Sequence, residues 1–540
     1  MGKYLNPGNE KFQSICRAEY VDKTGLIHAT NPLLHTEHRF ILVSRPRRFG
    51  KSYAAAMLCA YFGHGCTSRH LFEDKEIARL EPSLEGLGDY NILYFDMSSF
   101  KADALQKQKD LDRKAASKGE TAQKLDWIDF LENEVTEDIR EAYGEECASY
   151  SFFQTLKNAV EMTGRKFLWI CDEWDLFIRE DIPDANATDN YLEMMRRLFK
   201  TSDGYAESVF AGAYLTGIMP MKKMKGESAV SSFDNYTMLG QGALAPYTGF
   251  TESEVQALCR KYDISYEKME EWYDGYRFPG VGAVFNPRSV MEAIRLREFD
   301  SYWTQTASYE KLRLQIELNI AGLRAQIFQL ASGGTVRIDG IRFDNDLRDL
   351  KTANEVLTSM VHLGYLSYDA ESKTVRIPNK ELRKEFFATL AESSHEETAK
   401  MIRMADDLLE ATWNMDEKKV AEVLEVAHRA TGDTKHYNLE ARLSETVRIA
   451  YYTAADYYVT IRELAGGEGF VDLAYIPRKG VDKPLMIIEL KWDKPVHTAL
   501  DQIREKKYPE DLQRFGGEVL LVGITYRVRG KRHICRIERL

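Results

Sequence analysis

Residues Phe40 to Ser52 read FILVSRPRRFGKS, and this stretch decides the fold of the first half of the chain. The run FILV is apolar and partly β-branched, as expected for a buried parallel strand, and YAAAMLCAYF after Ser52 predicts a helix. The GKS tripeptide therefore lies at a strand-to-helix turn. Because backbone N–H groups at the start of a helix bind anions, the pattern predicts a phosphate-binding loop in an α/β domain.

The residues of this loop have distinct expected roles. A lysine at the position of Lys51 reaches the terminal phosphates of a nucleotide, and the hydroxyl of Ser52 can ligate Mg²⁺. The usual pattern GxxxxGK[ST] has glycine where this chain has Arg45, and the added positive charge suits a triphosphate. A chance GKS on a basic turn is the alternative interpretation. We expect ATP to contact the whole loop: Arg45, Pro46, Arg47, Arg48, Phe49, Gly50, Lys51 and Ser52.

A second apolar strand ends in two adjacent carboxylates, in the segment FLWICDEWD at 167–175. Asp172 is expected to hold Mg²⁺, directly or through water, and Glu173 to orient the water that attacks ATP. A third strand, VFAGAYLTG, ends near Thr216, whose hydroxyl is a candidate for sensing the γ-phosphate. A simple turn at the end of the strand explains Thr216 equally well.

The last hundred residues contain another acidic pattern. Residues 470–477 and 484–492 read as neighbouring strands joined by a basic turn. Period-two alternation places Glu489 and Lys491 on one face, where Asp472 can join them. Two carboxylates that hold Mg²⁺ or Mn²⁺, with a lysine beside them, suit metal-dependent hydrolysis of a phosphodiester. Solvated or salt-bridged side chains are the alternative, since D…ExK is common in α/β proteins.

Other residues are expected to support this second site. Glu445 lies on the preceding helix and is the candidate for a further metal-ligating acid, with Glu463 as its rival. Gln502 and Tyr508 lie on a following helical segment. Residues 521–540 carry six basic side chains against one acid, which favours nucleic acid as a partner of this end of the chain. A solvated strand face gives the same pattern.

Composition limits the class of protein. The chain has 540 residues with 44% hydrophobic content, enough for several domains, and its net charge of −11 argues against indiscriminate binding of nucleic acid. The 7 cysteines form no CxxC pair and the 11 histidines form no HExxH, so a zinc site is not indicated. No signal peptide and no membrane-spanning stretch is recognised, and we expect a cytoplasmic protein without a membrane partner.

The middle of the chain is less informative. Residues 101–128 are highly charged and predict a solvated helical excursion, or alternatively an arm that binds a partner. Helix, strand, turn and strand between 354 and 379 predict a small winged-helix-like unit, which we interpret as a structural spacer. Residues 391–440 have apolar spacings of three and four, so they predict helices that connect the two catalytic ends.

Several short segments together resemble one family, the bacterial AAA-ATPase-like proteins with a C-terminal PD-(D/E)XK nuclease-superfamily domain. The matching segments are YVDKT at 20–24, RPRRFGKS at 45–52, DEWD at 172–175, GFT at 249–251, WYDGY at 272–276 and NP at 286–287. The resemblance implies that arginine at position 45 is the family's own form of the loop. It also implies a P-loop ATPase of the additional-strand catalytic-glutamate class. One departure is GFVD at 469–472, where the family has GRxD.

These observations lead to an α/β multidomain protein. The expected parts are an AAA-like P-loop domain with a parallel sheet at 1–300, a winged-helix-like region at 301–390, a helical connector at 391–440 and a restriction-endonuclease-like α/β domain at 441–540. The leading hypothesis is an ATPase that regulates a Mg²⁺-dependent nuclease acting on nucleic acid, DNA before RNA. The alternatives are a nucleotide-dependent switch with a non-cutting nuclease fold, and an ATP-driven protein remodeller. A homo-oligomer with an arginine donated between copies is also possible, with Arg277 and Arg165 as guesses.

Overall fold

The structure is a computed structural model that describes residues 2–200, 204–221, 232–240, 242–303, 313, 316–318, 320–331, 333–339, 350–392, 396–431, 440–466, 469–478, 480–505 and 517–540. It divides into two compact units. The first unit comprises Met1–Trp303 and Arg337–Glu381, and the second comprises Thr304–Val336 and Leu382–Leu540. This division groups the residues differently from the four expected domains, whose boundaries stay predictions.

A five-stranded sheet forms the centre of the first unit. Neighbouring strands pair in parallel in the order β2-β3-β4-β1-β5. One strand, β4, therefore lies between the strand that precedes the phosphate loop and the strand that ends in the two acids, as the additional-strand class requires. The strands are β1 (Phe40–Ser44), β2 (Asn91–Asp96), β3 (Phe167–Asp172), β4 (Phe210–Gly217) and β5 (Asp234–Tyr236).

Both faces of this sheet are buried. Along β1, Phe40 and Leu42 belong to one hydrophobic core, and Ile41 and Val43 belong to the other. Because successive side chains of a strand point to opposite faces, a strand covered on both sides must be apolar at every position. This is why the FILV run predicts a central parallel strand, and the structure confirms it.

The shorter strands form small antiparallel sheets around this domain. Strands β6, β8 and β7 pair in that order, and β10 pairs with β11 in a hairpin. The hairpin follows a helix, as predicted for the winged-helix-like segment. These strands are β6 (Phe250–Thr251), β7 (Tyr276–Phe278), β8 (Gly282–Phe285), β9 (Val336–Arg337), β10 (Ser367–Asp369) and β11 (Thr374–Arg376).

The second unit contains a mixed sheet of five strands in the order β12-β13-β14-β15-β16. The pair β14 and β15 is parallel, and the other neighbours are antiparallel. Such a sheet, with helices packed on it, is consistent with a nuclease-like domain. The strands are β12 (Tyr458–Gly466), β13 (Gly469–Pro477), β14 (Leu485–Trp492), β15 (Val519–Arg527) and β16 (Arg532–Arg539).

Helices cover the sheets in both units, and the helices predicted within 391–440 are observed. The helical excursion predicted at 101–128 is helical up to Lys118, and residues 119–126 lie outside helices. In the described part of the chain, no helix combines the length and apolar character needed to cross a bilayer. In chain order the helices are α1 (Glu10–Cys16), α2 (Gly25–Thr30), α3 (Lys51–Phe62), α4 (Glu76–Leu80), α5 (Met97–Lys118), α6 (Trp127–Tyr143), α7 (Phe152–Thr163), α8 (Leu176–Arg179), α9 (Ala187–Phe199), α10 (Tyr205–Val209), α11 (Glu252–Tyr262), α12 (Tyr266–Tyr273), α13 (Pro287–Leu296), α14 (Leu323–Ala331), α15 (Ala353–Leu363), α16 (Lys380–Ala391), α17 (Glu396–Arg403), α18 (Ala405–Trp413), α19 (Glu417–Thr431), α20 (Glu440–Ala450) and α21 (His497–Glu505).

Candidate functional site

The phosphate loop ends at the N-terminus of α3. Gly50 is the N-cap residue and has a φ of 87°, a left-handed conformation that glycine adopts without strain. The side chain of Lys51, the first residue of the helix, folds back over the loop. Its ammonium donates to the carbonyl oxygen of Pro46 at 2.8 Å and to that of Arg45 at 3.0 Å. These bonds hold the ammonium over the loop that leads into the N-terminus of α3, and a helix N-terminus favours the binding of anions.

Burial changes the acid–base behaviour of this lysine. The Lys51 side chain is buried, and burial lowers its pKa to about 8, although Asp172, Asp175 and Glu173 act in the opposite direction. Both hydrogen bonds described above go to neutral carbonyl groups. An anion placed against this ammonium would stabilise its charged form, so the environment fits a phosphate.

Asp172 and Thr216 meet at the carboxyl ends of two neighbouring strands. They are register partners in β3 and β4, and Thr216 Oγ1 donates to Asp172 Oδ1 at 2.6 Å. Burial raises the pKa of Asp172, while hydrogen bonds from Ser52 and Thr216 and the charge of Lys51 oppose this rise. The structure thus brings together four residues that the sequence predicts to hold nucleotide and metal.

Glu173 is held by two groups that sequence reasoning missed. Its backbone has a left-handed φ of 58°. One carboxylate oxygen, Oε2, accepts from Ser98 Oγ at 2.7 Å and lies 3.3 Å from Arg179 Nη2. Ser98 lies in the first turn of α5, just after β2, so the end of a third strand also contributes to the site.

Arg179 is the centre of a buried ion-pair network. Its guanidinium lies 3.4 Å from Asp175 and 2.9 Å from Glu180 in addition to the contact with Glu173. Burial alone would lower the pKa of Arg179, but these three acids raise it above its ordinary value. The i, i+4 spacing of Asp175 and Arg179 on a short helix was the available sequence signal.

Asp175, the last acid of the DEWD segment, has a structural contact as well. Its Oδ2 accepts from the backbone N–H groups of Ile218 at 3.1 Å and Met219 at 2.9 Å. These bonds fix the turn after β4 against the acidic turn after β3. Asp175 therefore positions the neighbouring acid rather than adding a ligand.

Arg45, which is expected to contact ATP, has partners inside the protein that its position in the loop does not indicate. Its guanidinium is fully buried, lies 4.7 Å from the ring centre of Phe278 and donates to the carbonyl oxygens of Ala245 at 3.1 Å and Thr248 at 3.3 Å. Burial lowers its pKa to about 9. The charge thus has main-chain carbonyls and an aromatic face as partners, and a contact between Arg45 and ATP stays a prediction.

The other loop residues divide into exposed and packed positions. Arg48 is exposed with a φ of 70°, and Arg47 lies 3.4 Å from Glu180. Pro46 and Phe49 are buried. Arg48 is the exposed arginine and Arg47 is half-buried, whereas the buried Pro46 and Phe49 fix the path of the loop.

Segments of the first unit that are distant in sequence contact the phosphate loop. The indole N–H of Trp303 donates to the carbonyl oxygen of Arg47 at 3.0 Å. The amide of Gly249 donates to the carbonyl oxygen of Phe49 at 2.9 Å, and the rings of Phe49 and Tyr276 meet edge to face at 5.4 Å. The GFT and WYDGY segments therefore contact the phosphate loop directly.

The second site lies where β13 and β14 stop pairing. The last paired residues of this ladder are Leu473 and Ile488, and the next residues along the two strands are Asp472 and Glu489. Instead of a ladder bond, the Asp472 carboxylate accepts the backbone N–H of Leu490 at 2.7 Å. The carboxylate is thereby positioned beside the central strand.

Glu489 is the centre of the second site. It is buried, and its Oε1 accepts from Lys491 Nζ at 2.9 Å and also from Gln502 Nε2. Lys491 and Gln502 thus contact Glu489 directly, and Asp472 bonds to the residue that follows Glu489; a shared site for all four stays a prediction. Two carboxylates with a neighbouring ammonium fit a hard divalent ion, for which Asp472 and Glu489 would be the ligands.

Close packing of α21 brings Gln502 to this cluster. Gly523 pairs with Glu489 across β14 and β15, and a Cβ atom at Gly523 would lie 3.2 Å from both Cβ of Ala499 and the carbonyl oxygen of Val496. The absence of a side chain therefore allows the helix to approach the sheet. One helical turn after Ala499, Gln502 reaches the glutamate.

For three other predicted residues, the structure describes the backbone alone or no atoms. Glu445 lies in α20 and Glu463 in β12, but their side chains, like all of Tyr508, are outside the described residues. In the described part of the chain, no group of three His, Cys, Asp or Glu side chains converges as a metal site. The expected third acid therefore stays a prediction.

The two arginines guessed to act between copies have local partners. Arg165 donates to the carbonyl oxygen of Thr163 at 3.3 Å and lies near the start of β3, at the opposite end of that strand from Asp172. Arg277 is an exposed residue of β7, 3.3 Å from Asp274. Neither contact tests a role between copies.

Two family models match the chain, one over the region of the phosphate loop and one over the region of Glu489. Residues 7–225 match a family model described as "Predicted AAA-ATPase", and residues 445–535 match a model of the PD-(D/E)XK nuclease superfamily. No curated protein matches the chain. The chain therefore joins an AAA-ATPase-like domain to a domain of the PD-(D/E)XK nuclease superfamily.

Proposed function

We propose that this protein binds and hydrolyses ATP in its N-terminal domain and thereby regulates a C-terminal Mg²⁺-dependent nuclease. DNA is the favoured substrate and RNA the second choice. The observation that carries the proposal is the buried cluster of Glu489, Lys491 and Gln502 beside Asp472. Burying charged groups costs folding free energy, and a domain that served only as a scaffold would be more stable with apolar residues there.

In the ATPase half, Lys51 would bind the terminal phosphates, and Ser52 and Asp172 would hold Mg²⁺. Thr216 fixes the Asp172 carboxylate, and Glu173 orients the attacking water. The contacts that support these roles are the Thr216–Asp172 bond of 2.6 Å and the packing of Lys51 over the loop carbonyls. Bound Mg²⁺ would neutralise charge that develops on the phosphates during hydrolysis.

In the nuclease half, Asp472 and Glu489 would hold Mg²⁺ or Mn²⁺, which supplies an acidified water and polarises the phosphate. Lys491 Nζ lies 2.9 Å from Glu489 Oε1, beside the proposed metal position, where its ammonium would stabilise the negative charge that develops on the phosphate oxygens during attack. Gln502 fixes the orientation of the Glu489 carboxylate. The expected third acid, Glu445, completes the proposed set.

Contacts of Trp303 in the first unit support a path for this regulation. Trp303 bonds through its indole to the phosphate loop at Arg47, and the backbone amides of Tyr302 and Trp303 donate to Glu381 Oε1 at 2.6 and 2.7 Å. The chain passes into the second unit immediately after Trp303 and again immediately after Glu381. A change in the loop on binding ATP therefore acts on the two chain segments that lead to the nuclease domain.

The test measures two activities on one preparation of the full chain. Lys51→Ala should abolish ATP turnover, because the phosphates lose their cation. Asp472→Ala should abolish cleavage of nucleic acid and leave ATP turnover at the wild-type rate. Unchanged turnover in the Lys51 variant would refute the phosphate-loop assignment, and unchanged cleavage in the Asp472 variant would refute the nuclease site.

A further inference from the structure

The turn between β15 and β16 carries an unusual concentration of positive charge. Residues 527–532 read RVRGKR, with four basic side chains and no acid. Arg529, Lys531 and Arg532 are exposed, and Arg527 is half-buried. We call residues 527–532 the basic hairpin tip. It forms a surface of one sign in a chain whose net charge is −11.

The basic hairpin tip lies at the same sheet edge as the nuclease cluster. Lys491 pairs with Thr525 across β14 and β15, and two residues further along β15, Arg527 pairs with Arg532 of β16. Period-two alternation places Arg527 and Arg532 on the face that also carries Lys491 and Glu489. The offset along the strand is about 7 Å, or two residues at about 3.3 Å each.

Ion pairs do not account for this charge. Arg527 lies 3.7 Å from Asp493 in an exposed pair, while Arg529, Lys531 and Arg532 have no ion-pair partner among the residues that the structure describes. Exposed pairs of this kind add little stability, and like charges placed close together repel. The stability of the fold therefore does not explain why these basic residues are clustered.

Other basic residues in the same region of the chain do have ion-pair partners. Arg536 lies 3.2 Å from Glu417, Arg539 is paired with Glu518, and Arg504 is paired with Glu538. These three arginines are also exposed, so they provide a matched comparison for the three unpaired cations of the tip. The three arginines with an acidic partner thus lie outside the tip, and the three cations without an ion-pair partner lie in it.

We propose that the basic hairpin tip binds the phosphate backbone of the nucleic acid that enters the nuclease cluster. This inference rests on the proposed nuclease function. Arginine and lysine form charge-assisted bonds to phosphate oxygens. An offset of about 7 Å corresponds to roughly two steps of a duplex at about 3.4 Å each, so the tip contacts phosphates next to the one being cleaved. Such contacts position the strand without reading its sequence.

The test compares two triple variants of the full chain. The tip variant is Arg529→Gln, Lys531→Gln and Arg532→Gln, and the control is Arg504→Gln, Arg536→Gln and Arg539→Gln. Binding of a fluorescein-labelled DNA duplex is followed by fluorescence anisotropy between 50 and 200 mM NaCl, with Ca²⁺ in place of Mg²⁺. Thermal melting by circular dichroism establishes that both variants are folded.

The tip variant should bind more weakly, and the slope of log K against log salt should become shallower by about 2.7, or roughly 0.9 for each lost phosphate contact. The control should keep the wild-type slope. Equal slopes in wild type and tip variant, with wild-type cleavage intact, would overturn this inference but leave the nuclease proposal standing. Absence of binding and cleavage in the wild type would overturn both. Competition by polyglutamate as effective as competition by unlabelled DNA would overturn nucleic acid as the partner.

Discussion

Thr216 and Asp172 are joined by a hydrogen bond of 2.6 Å that links β4 to β3 at the centre of the proposed ATPase site. Thr216 also pairs in register with Val43 of β1, the strand that leads into the phosphate loop. Because β4 lies between the loop strand β1 and the acidic strand β3, Thr216 has a partner on each of these strands. This bond orients the carboxylate that is expected to hold Mg²⁺.

Thr216→Val should lower the rate of ATP turnover without unfolding the domain. The replacement keeps the shape of the side chain but removes the 2.6 Å hydrogen bond from Thr216 to Asp172, and a bond to a charged group contributes about 1.5–3 kcal/mol. We expect turnover to fall roughly 10- to 100-fold in a steady-state assay. Thr216→Ser keeps the hydroxyl and should retain most activity; equal activity in the valine and wild-type proteins would contradict the assignment.

ATP affinity should depend on pH because of Lys51. Its pKa of about 8 means that the side chain loses its charge as the pH rises above this value. Bound phosphate favours the charged form, so binding at pH 9 should require uptake of a proton and be weaker by up to about tenfold than at pH 7. Calorimetry in two buffers with different ionisation enthalpies measures this uptake.

The matched variant for this prediction is Lys51→Arg. Arginine stays charged throughout this pH range, so any remaining binding should vary little between pH 7 and 9. Wild-type affinity that is constant over the same range would contradict the proposed phosphate contact of Lys51.

Trp303→Phe should uncouple ATP from the nuclease. Phenylalanine keeps an aromatic ring but removes the N–H that donates to Arg47 at 3.0 Å. We expect ATP turnover and basal cleavage to persist, while the ATP-dependent change in cleavage shrinks by about fivefold, the equivalent of one hydrogen bond of about 1 kcal/mol. Cleavage rates with and without ATP measure the effect.

Trp413→Phe is the matched control for the loss of an indole hydrogen bond. Its indole N–H donates to Tyr458 at 2.8 Å, and both residues belong to the second unit. The control should keep the full response to ATP. If both tryptophan variants respond to ATP as the wild type does, the Trp303 contact does not transmit the signal.

Local patterns predicted much of the fold. The continuous apolar run at Phe40 and the acids that end β3 follow from residues adjacent in sequence, since parallel strands buried on both faces must be apolar along their length. The pairing of Glu489 and Lys491 on one face likewise follows from the period of a strand. These elements were predictable because each depends on a few neighbouring residues.

The parts that could not be predicted depend on contacts between distant segments. Arg45 seemed suited to phosphate from its position in the loop, but its partners Ala245 and Thr248 lie about 200 residues away, at 3.1 and 3.3 Å from the guanidinium. Trp303 is farther still from Arg47 in sequence, at 256 residues. No local spacing reports such contacts, and only the folded chain brings them together.

The most direct test of the account is the cleavage of labelled single- and double-stranded DNA and RNA by the full chain in Mg²⁺, with and without ATP. We predict cleavage whose rate changes when ATP is added, and cleavage by the Lys51→Ala protein that does not respond to ATP. Asp472→Ala provides the baseline without nuclease activity. Cleavage that ATP leaves unchanged in the wild type, or no cleavage of any nucleic acid while ATP turnover is intact, would contradict an ATP-regulated nuclease.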